Sequence, residues 1–340
     1  GIALRALKDS MRRNPMVTMK DVAKAAGVSV ATVSRVIAGA SSVSPATQKK
    51  VMDTIEELQY YSNSLARGLR QQQTNLVAVL LRDISHPLYG DMLRGIEDVL
   101  NTNGYIPLFF NSDNDSSCQD EAFQSVLSMG VAGALVAPCS DYEAIYQRSS
   151  AQDFPTVFIS EGRNKGKKES ASGKVYCDTY KAGSIAAEAF AVSGVKRCIY
   201  ISGKNAPALK KDYLYSGFSE KCRETGIIYS ATDGFHREEA AELTRQNGNS
   251  LGILARSNFQ AVEIINAMRE EGFGIPDEIR IISFENTILA KMTSPAVSVL
   301  GATGYQIGMS SAQHLIGIIQ GNNRKEPVVL EPKLIRRGSL

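Results

Sequence analysis

Tryptophan is absent from this sequence, and histidine and cysteine are scarce, at three and five residues. The cysteines (Cys118, Cys139, Cys177, Cys198 and Cys222) stand singly, with no C-x-x-C spacing. That pattern points to buried thiols, not to a disulfide framework or a thiolate metal site. His86, His236 and His314 lie far apart along the chain, which argues against a histidine-based metal or catalytic cluster. No apolar run approaches the length of a membrane span. The opening "GIALRALKDSMRRNP" is basic, but no apolar stretch follows it, so it does not read as a signal peptide. There is no G-x-S-x-G, no P-loop and no paired metal-ligand motif. The expectation is a cytoplasmic protein that is not an enzyme and needs no cofactor and no metal.

Charge is present but unevenly placed. The formal net charge is +3. Residues 1–72 hold 11 Lys/Arg against 5 Asp/Glu, a net of +6, which leaves −3 on the rest. A small basic module on a larger, slightly acidic body suggests a polyanion-binding head.

The head reads as short helices. Thr18 is placed to cap a helix over Met19–Ala26, with Asp21 completing a capping box and Gly27 stopping it. Ser29 caps a second helix that ends at Gly39. Ser44 and Pro45 open a third, in which Val51, Ile55 and Leu58 follow helical spacing. Two short helices joined by a glycine turn, with a third behind, fit a helix-turn-helix. Beyond the polar stretch "YYSNSLARGLRQQQTN" the pattern changes. "LVAVLL", "IPLFF", "VAGALVA", "PTVFI", "RCIYIS", "LGILA" and "IRIISF" look like buried strands. Amphipathic segments 90–103, 118–129, 180–193, 213–225 and 258–272 lie between several of them. Such alternation implies parallel sheets covered on both faces, and the length implies two α/β lobes.

The stretch "AAGVSVATVSRVIAG" carries the functional signal. Val33, Val36 and Ile37 share one face of its helix and are expected to pack on Val22, Ala25, Ala26 and Val28. The opposite side shows Val30, Ala31, Thr32, Ser34 and Arg35. Small side chains let a helix sit close to the floor of a major groove. Val30 or Ala31 can meet a thymine methyl. Ser29, Thr32 and Ser34 can reach phosphates, and Arg35 can bond guanine with both nitrogens. The plainer alternative is a solvated helix that is poor in charge. "TMKDVAKAAGVSVATVSRVIAG" resembles the signature of the lactose/galactose repressor (LacI/GalR) family. "VSPATQKKVMDTIEELQYY" is similar to that family's third helix and "NSLARGLRQ" to its hinge. The resemblance extends through "DISHPLYGDMLRGIEDVLNTNGY" and "GFGIPDEIRIISFEN" to the closing "LIRRGSL".

The resemblance implies an α/β fold with an all-α helix-turn-helix headpiece and a two-lobed, periplasmic-binding-protein-like core. It divides the chain into an extension (1–16, expected to be disordered), a headpiece (17–62), a hinge helix and linker (63–74) and an effector-binding, dimerising core (75–340). It implies a homodimer on a near-palindromic operator and no membrane. Val30, Ala31 and Arg35 fall at base-reading positions, and Leu69 at the leucine that wedges the minor groove. Thr18, Lys49, Lys50 and Asn63 complete the expected DNA contacts. Ser62 replaces the family's usual proline, and Gly68 stands before Leu69 at a cost of roughly 1 kcal/mol to a helix. The hinge is therefore expected to fold only with DNA.

The effector pocket departs further from the family. Its aligned positions are Ser160, Leu214, Asn258 and Glu285, with Arg256 and Tyr89 nearby, so the usual clamp on sugar hydroxyls is reduced. Arg163, Lys204, Lys210, Lys211 and Arg256 favour an anionic carbohydrate effector, such as a sugar acid or sugar phosphate, unless they are exposed loop charges. A pairing of Arg256 with Glu285 would return the pocket to a neutral sugar. The eroded pocket also leaves open a regulator controlled by a partner protein.

Overall fold

Thr18 and Gly27 bracket the first helix, α1 (Met19–Ala26). The computed structural model describes residues 17–37, 42–58, 60, 74–139, 143–162, 173–203, 208–246, 250–322 and 326–340. Residues 1–16, Gly39 and the hinge positions Asn63, Gly68 and Leu69 lie outside these residues. Thr18 accepts from the Asp21 N–H, and Asp21 reaches back to the Thr18 N–H, so the capping box is complete. Gly27 ends the helix in the left-handed region at φ 62°, where a side chain would be strained. Helix α2 (Val30–Ile37) follows at once, and α3 (Pro45–Glu57) starts from a Ser44 cap with proline in its first turn. Val22, Ala23, Ala26, Val33, Val36 and Val51 form the small core between them. Ala25 is exposed and Ala23 takes its expected place, because α1 turns that side of its face to α2 and α3.

The chain divides into two compact units, Gly1–Thr74 and Asn75–Leu340. The second unit holds two parallel sheets. The first contains β1 (Leu76–Leu81), β2 (Ile106–Asn111), β3 (Gly133–Val136), β4 (Thr156–Gly162), β5 (Lys174–Asp178) and β11 (Val328–Leu330), in the order β11-β5-β4-β3-β1-β2. The second contains β6 (Arg197–Ile201), β7 (Ile228–Thr232), β8 (Leu251–Ala255), β9 (Ile279–Ser283) and β10 (Ser298–Val299), in the order β10-β9-β8-β6-β7. Helices cover both faces: α4 (Pro87–Thr102), α5 (Ser116–Ser128), α6 (Glu143–Ala151) and α12 (Gly304–Ile319) in the first lobe, and α7 (Thr179–Val192), α8 (Tyr213–Thr225), α9 (Arg237–Gln246), α10 (Asn258–Glu270) and α11 (Leu289–Met292) in the second. Central strands are apolar throughout because alternate residues serve opposite cores. Val77, Val79 and Leu81 face one cluster, and Ala78 and Leu80 the other.

The chain leaves the first sheet after β5, returns after β10 and crosses again after β11, where Ile335 bridges Val299 and Ser339 bonds Ile281. The lobes are thus joined by several segments, with strand C-termini turned toward one cleft. In each lobe two helices meet at glycine. A Cβ on Gly308 of α12 would lie 2.0 Å from the Met92 carbonyl oxygen of α4, and one on Gly217 of α8 would lie 1.9 Å from that of Tyr180 in α7.

Candidate nucleic-acid interface and interlobe cleft

Helix α2 buries Val33 and Val36 and leaves Val30, Ala31, Ser34 and Arg35 exposed, Val30 at 41%. That face combines small side chains with one cation, as a groove-reading helix requires. Three hydroxyls among the expected DNA contacts also make local hydrogen bonds. Thr18 Oγ1 donates to Asp21 at 2.6 Å, and this contact holds the Asp21 carboxyl below the usual carboxylate range. Ser29 Oγ and Thr32 Oγ1 bond each other at 2.8 Å, and Ser29 Oγ also accepts the Thr32 N–H. Thr18 and Ser29 serve as helix-start caps and Thr32 bonds the second of them, uses that compete with phosphate contact. Lys49 and Lys50 are exposed on α3. The Lys50 ammonium stands over the α1–α2 turn, 3.8 Å from where a Cβ on Gly27 would lie.

In the second unit the expected wall residues have diverging fates. Tyr89 is buried in α4 and its hydroxyl accepts from Arg82 Nε at 2.8 Å. Ser160 sits at the C-terminal end of β4, and its buried Oγ has no hydrogen-bond partner among the described residues. Leu214 is fully buried beside Phe218 and Tyr200 in the second lobe's core, so it is a packing residue and offers the cleft no surface. Asn258 is 1% exposed and its amide is committed: Nδ2 donates to Ser283 Oγ and the Glu285 carbonyl, while Oδ1 accepts from the Thr287 N–H and hydroxyl.

Arg256 pairs with Asp212 of its own lobe. Its Nη1 lies 2.9 Å from both carboxylate oxygens of Asp212 and 3.1 Å from the Tyr200 hydroxyl. Asp212 accepts the Tyr200 hydroxyl at 2.5 Å and caps α8 through the Leu214 and Tyr215 N–H groups. Burial holds the Tyr200 phenol well above its ordinary range. Lys210 and Lys211 are exposed; Lys210 lines a shallow cavity of about 350 Å³ on the outer face of α8 with Tyr215 and Arg223. Arg163 and Lys204 lie outside the described residues.

Glu285 faces the other lobe. Its Oε2 accepts the Asn258 N–H at 3.2 Å, and its Oε1 stands 3.5 Å from His86 Nε2. Phe259 meets the same imidazole edge-on, with ring centroids 5.4 Å apart. Sequence reasoning passed over His86, Phe259 and Asp212. Only Asp212 carried a local signal, an aspartate at the start of a helical run.

Among the described residues no helix is long and apolar enough to cross a membrane. Residues 18–63 match the family "Bacterial regulatory proteins, lacI family", and residues 187–340 the "Periplasmic binding protein-like domain". Catabolite control protein A of Staphylococcus xylosus is 31% identical over 325 residues, 94% of this chain and 97% of that protein. The fold is similar to that of the lac repressor dimer bound to operator and the anti-inducer ONPF, with a TM-score of 0.80 at 20% identity over 95% of this chain and 98% of that one. It is also similar to the transcriptional regulator CelR–cellobiose complex, at a TM-score of 0.65 and 22% identity over 95% and 100% of the two chains. A capped helix-turn-helix, a two-lobed body of parallel sheets and similarity over nearly the whole length place this chain in the LacI family of DNA-binding transcriptional regulators.

Proposed function

We propose that this protein is a cytoplasmic homodimeric repressor of a carbohydrate-utilisation operon, without enzymatic activity. It binds a near-palindromic operator and answers to a small carbohydrate-derived effector held between its lobes. The observation that carries the DNA reading is the exposed Val30–Ala31–Ser34–Arg35 face of α2 on a segment with net charge +6. In this reading Arg35 takes guanine, Val30 and Ala31 take methyl groups, Lys49 and Lys50 take phosphates, and the hinge around Asn63 and Leu69 enters the minor groove. Two headpieces on two half-sites follow from dimer symmetry.

The cleft favours a neutral sugar over the expected anion, because Asp212 neutralises Arg256. Ser160 Oγ, buried without a partner, supports a hydroxyl-bearing ligand. The cellobiose complex of a structural relative agrees with a sugar effector. A second reading, control by a partner protein, is favoured by the internal use of Leu214, Asn258 and Arg256. Selection of bound genomic fragments gives the operator. A thermal-shift screen of neutral sugars, sugar acids and sugar phosphates then separates the two readings. Stabilisation by neutral sugars supports the first; no stabilisation by any of them supports the second.

A further inference from the structure

The basic residues of the sequence point to an anionic ligand, yet Arg256 is already held by Asp212. Two other cations converge instead. Lys210, in the short turn before α8, and Arg223, near the end of α8, line the cavity of about 350 Å³ on the outer face of that helix. Both are exposed, and neither has an ion-pair partner among the described residues. Tyr215 gives the cavity a fixed wall: its ring lies 5.4 Å from that of Tyr200 and edge-on to that of Tyr229 at 6.4 Å. Burial raises the Tyr215 phenol, and Arg223 stands near enough to oppose that rise. Ser216 and Ser219 donate their hydroxyl protons to the Asp212 and Ser216 carbonyls, at 2.8 and 3.2 Å, which leaves their lone pairs to accept. Glu220 is the one carboxylate in the lining, and it accepts the Tyr180 hydroxyl. We propose that this cavity binds a small phosphate monoester bearing free hydroxyls, a ligand distinct from the one held between the lobes.

Charge selects the phosphate and hydrogen bonding selects the rest. A phosphate monoester carries about 1.5 to 2 negative charges at neutral pH. Arg223 offers it a planar fork of donors and Lys210 a compact, mobile one. Two cations against Glu220 leave the lining at a net +1, so an anion is attracted. A neutral sugar gains nothing from either cation, and a bare phosphate brings few protons to the two serine acceptors. A hydroxylated ester meets both needs. The cavity lies at the small end of the roughly 300–1,000 Å³ usual for ligand sites, which suits a monoester better than a dinucleotide.

Calorimetric titration of full-length, DNA-free protein with ribose 5-phosphate, glycerol 3-phosphate and ribose tests the site. At least one of the two phosphates should bind saturably. Lys210→Gln and Arg223→Gln should each weaken that binding about tenfold, the worth of one hydrogen bond to a charged group. Glu220→Gln keeps an acceptor for Tyr180 and removes the repelling charge, so it should tighten binding. All three side chains are exposed, so the unfolding midpoint should stay unchanged in each variant. Ribose, which is uncharged, should show no dependence on Lys210 or Arg223. Saturable binding of neither phosphate overturns the proposal. Phosphate binding that all three substitutions leave unchanged also overturns it, because the anion then sits elsewhere, the cleft included. The outer face of α8 is thereby read independently of the sugar screen on the cleft.

Discussion

Arg256 and Arg35 are single cations with opposite assignments, and their neighbours decide which. Arg256 touches a carboxylate with no exposed surface, so its charge holds the second lobe together. Asp212→Asn keeps a capping group but removes the carboxylate charge beside the guanidinium. The loss should fall toward the low end of about 3–5 kcal/mol, because Arg256 retains 12% exposure. A lowered urea midpoint with unchanged slope is the expected result; an unchanged midpoint would remove the structural role given to the pair. Arg35 projects from an exposed face, so its loss should leave stability unchanged. Arg35→Ala should cost about 1–3 kcal/mol of operator binding and relax preference at one base position per half-site. Selection on randomised operators reads both. The Asp212 cap was legible because it is local, but Tyr200 and Arg256 lie 12 and 44 residues away, and no pattern in the string joins them. Leu214 and Asn258 meet the same limit: resemblance gave their positions, but not the core and the hydrogen bonds around them.

At the scale of elements, local chemistry was read well and edges poorly. The caps at Thr18 and Ser44 are bonds within a few residues, and the buried central strands are continuous apolar runs. β5, β7, β10 and β11 were not anticipated, since edge or short strands carry polar residues such as Lys174, Ser230 and Ser298. Helix α12 was missed because Gly304, Gly308 and Gly317 look like helix breakers. Two of them are instead where α4 comes close. Gly308→Ala should force a Cβ within 2.0 Å of the Met92 carbonyl and destabilise by about 1–3 kcal/mol. Gly317→Ala meets nothing within 4 Å and should stabilise by up to about 1 kcal/mol. Thermal unfolding of the pair separates a packing requirement from a tolerance, and equal shifts would contradict the close contact.

For the whole molecule, the question is how a +6 head finds its site against its own −3 body, and half-site pairing is the proposed answer. Each sheet ends in an edge strand with exposed apolar side chains: Ile106 and Phe109 on β2, at 48% and 45%, and Ile228 on β7, at 56%. Exposed edges of this kind invite association. Pro107 removes an N–H from β2, so contact there would run through side chains more than through a continued ladder. Phe109→Glu places a charge in that contact while leaving the buried faces of the sheet intact. It should shift sedimentation from dimer toward monomer and leave the unfolding midpoint of the monomeric core nearly unchanged. Binding to a palindrome should then collapse toward the affinity of one half-site, because the second headpiece is no longer delivered at high local concentration. Lys49→Ala tests the electrostatic part by itself. It should weaken all duplexes alike and lower the salt slope by about one counterion, with the dimer intact. If Phe109→Glu left a dimer that still bound the full palindrome, the subunits would have to join through a different face.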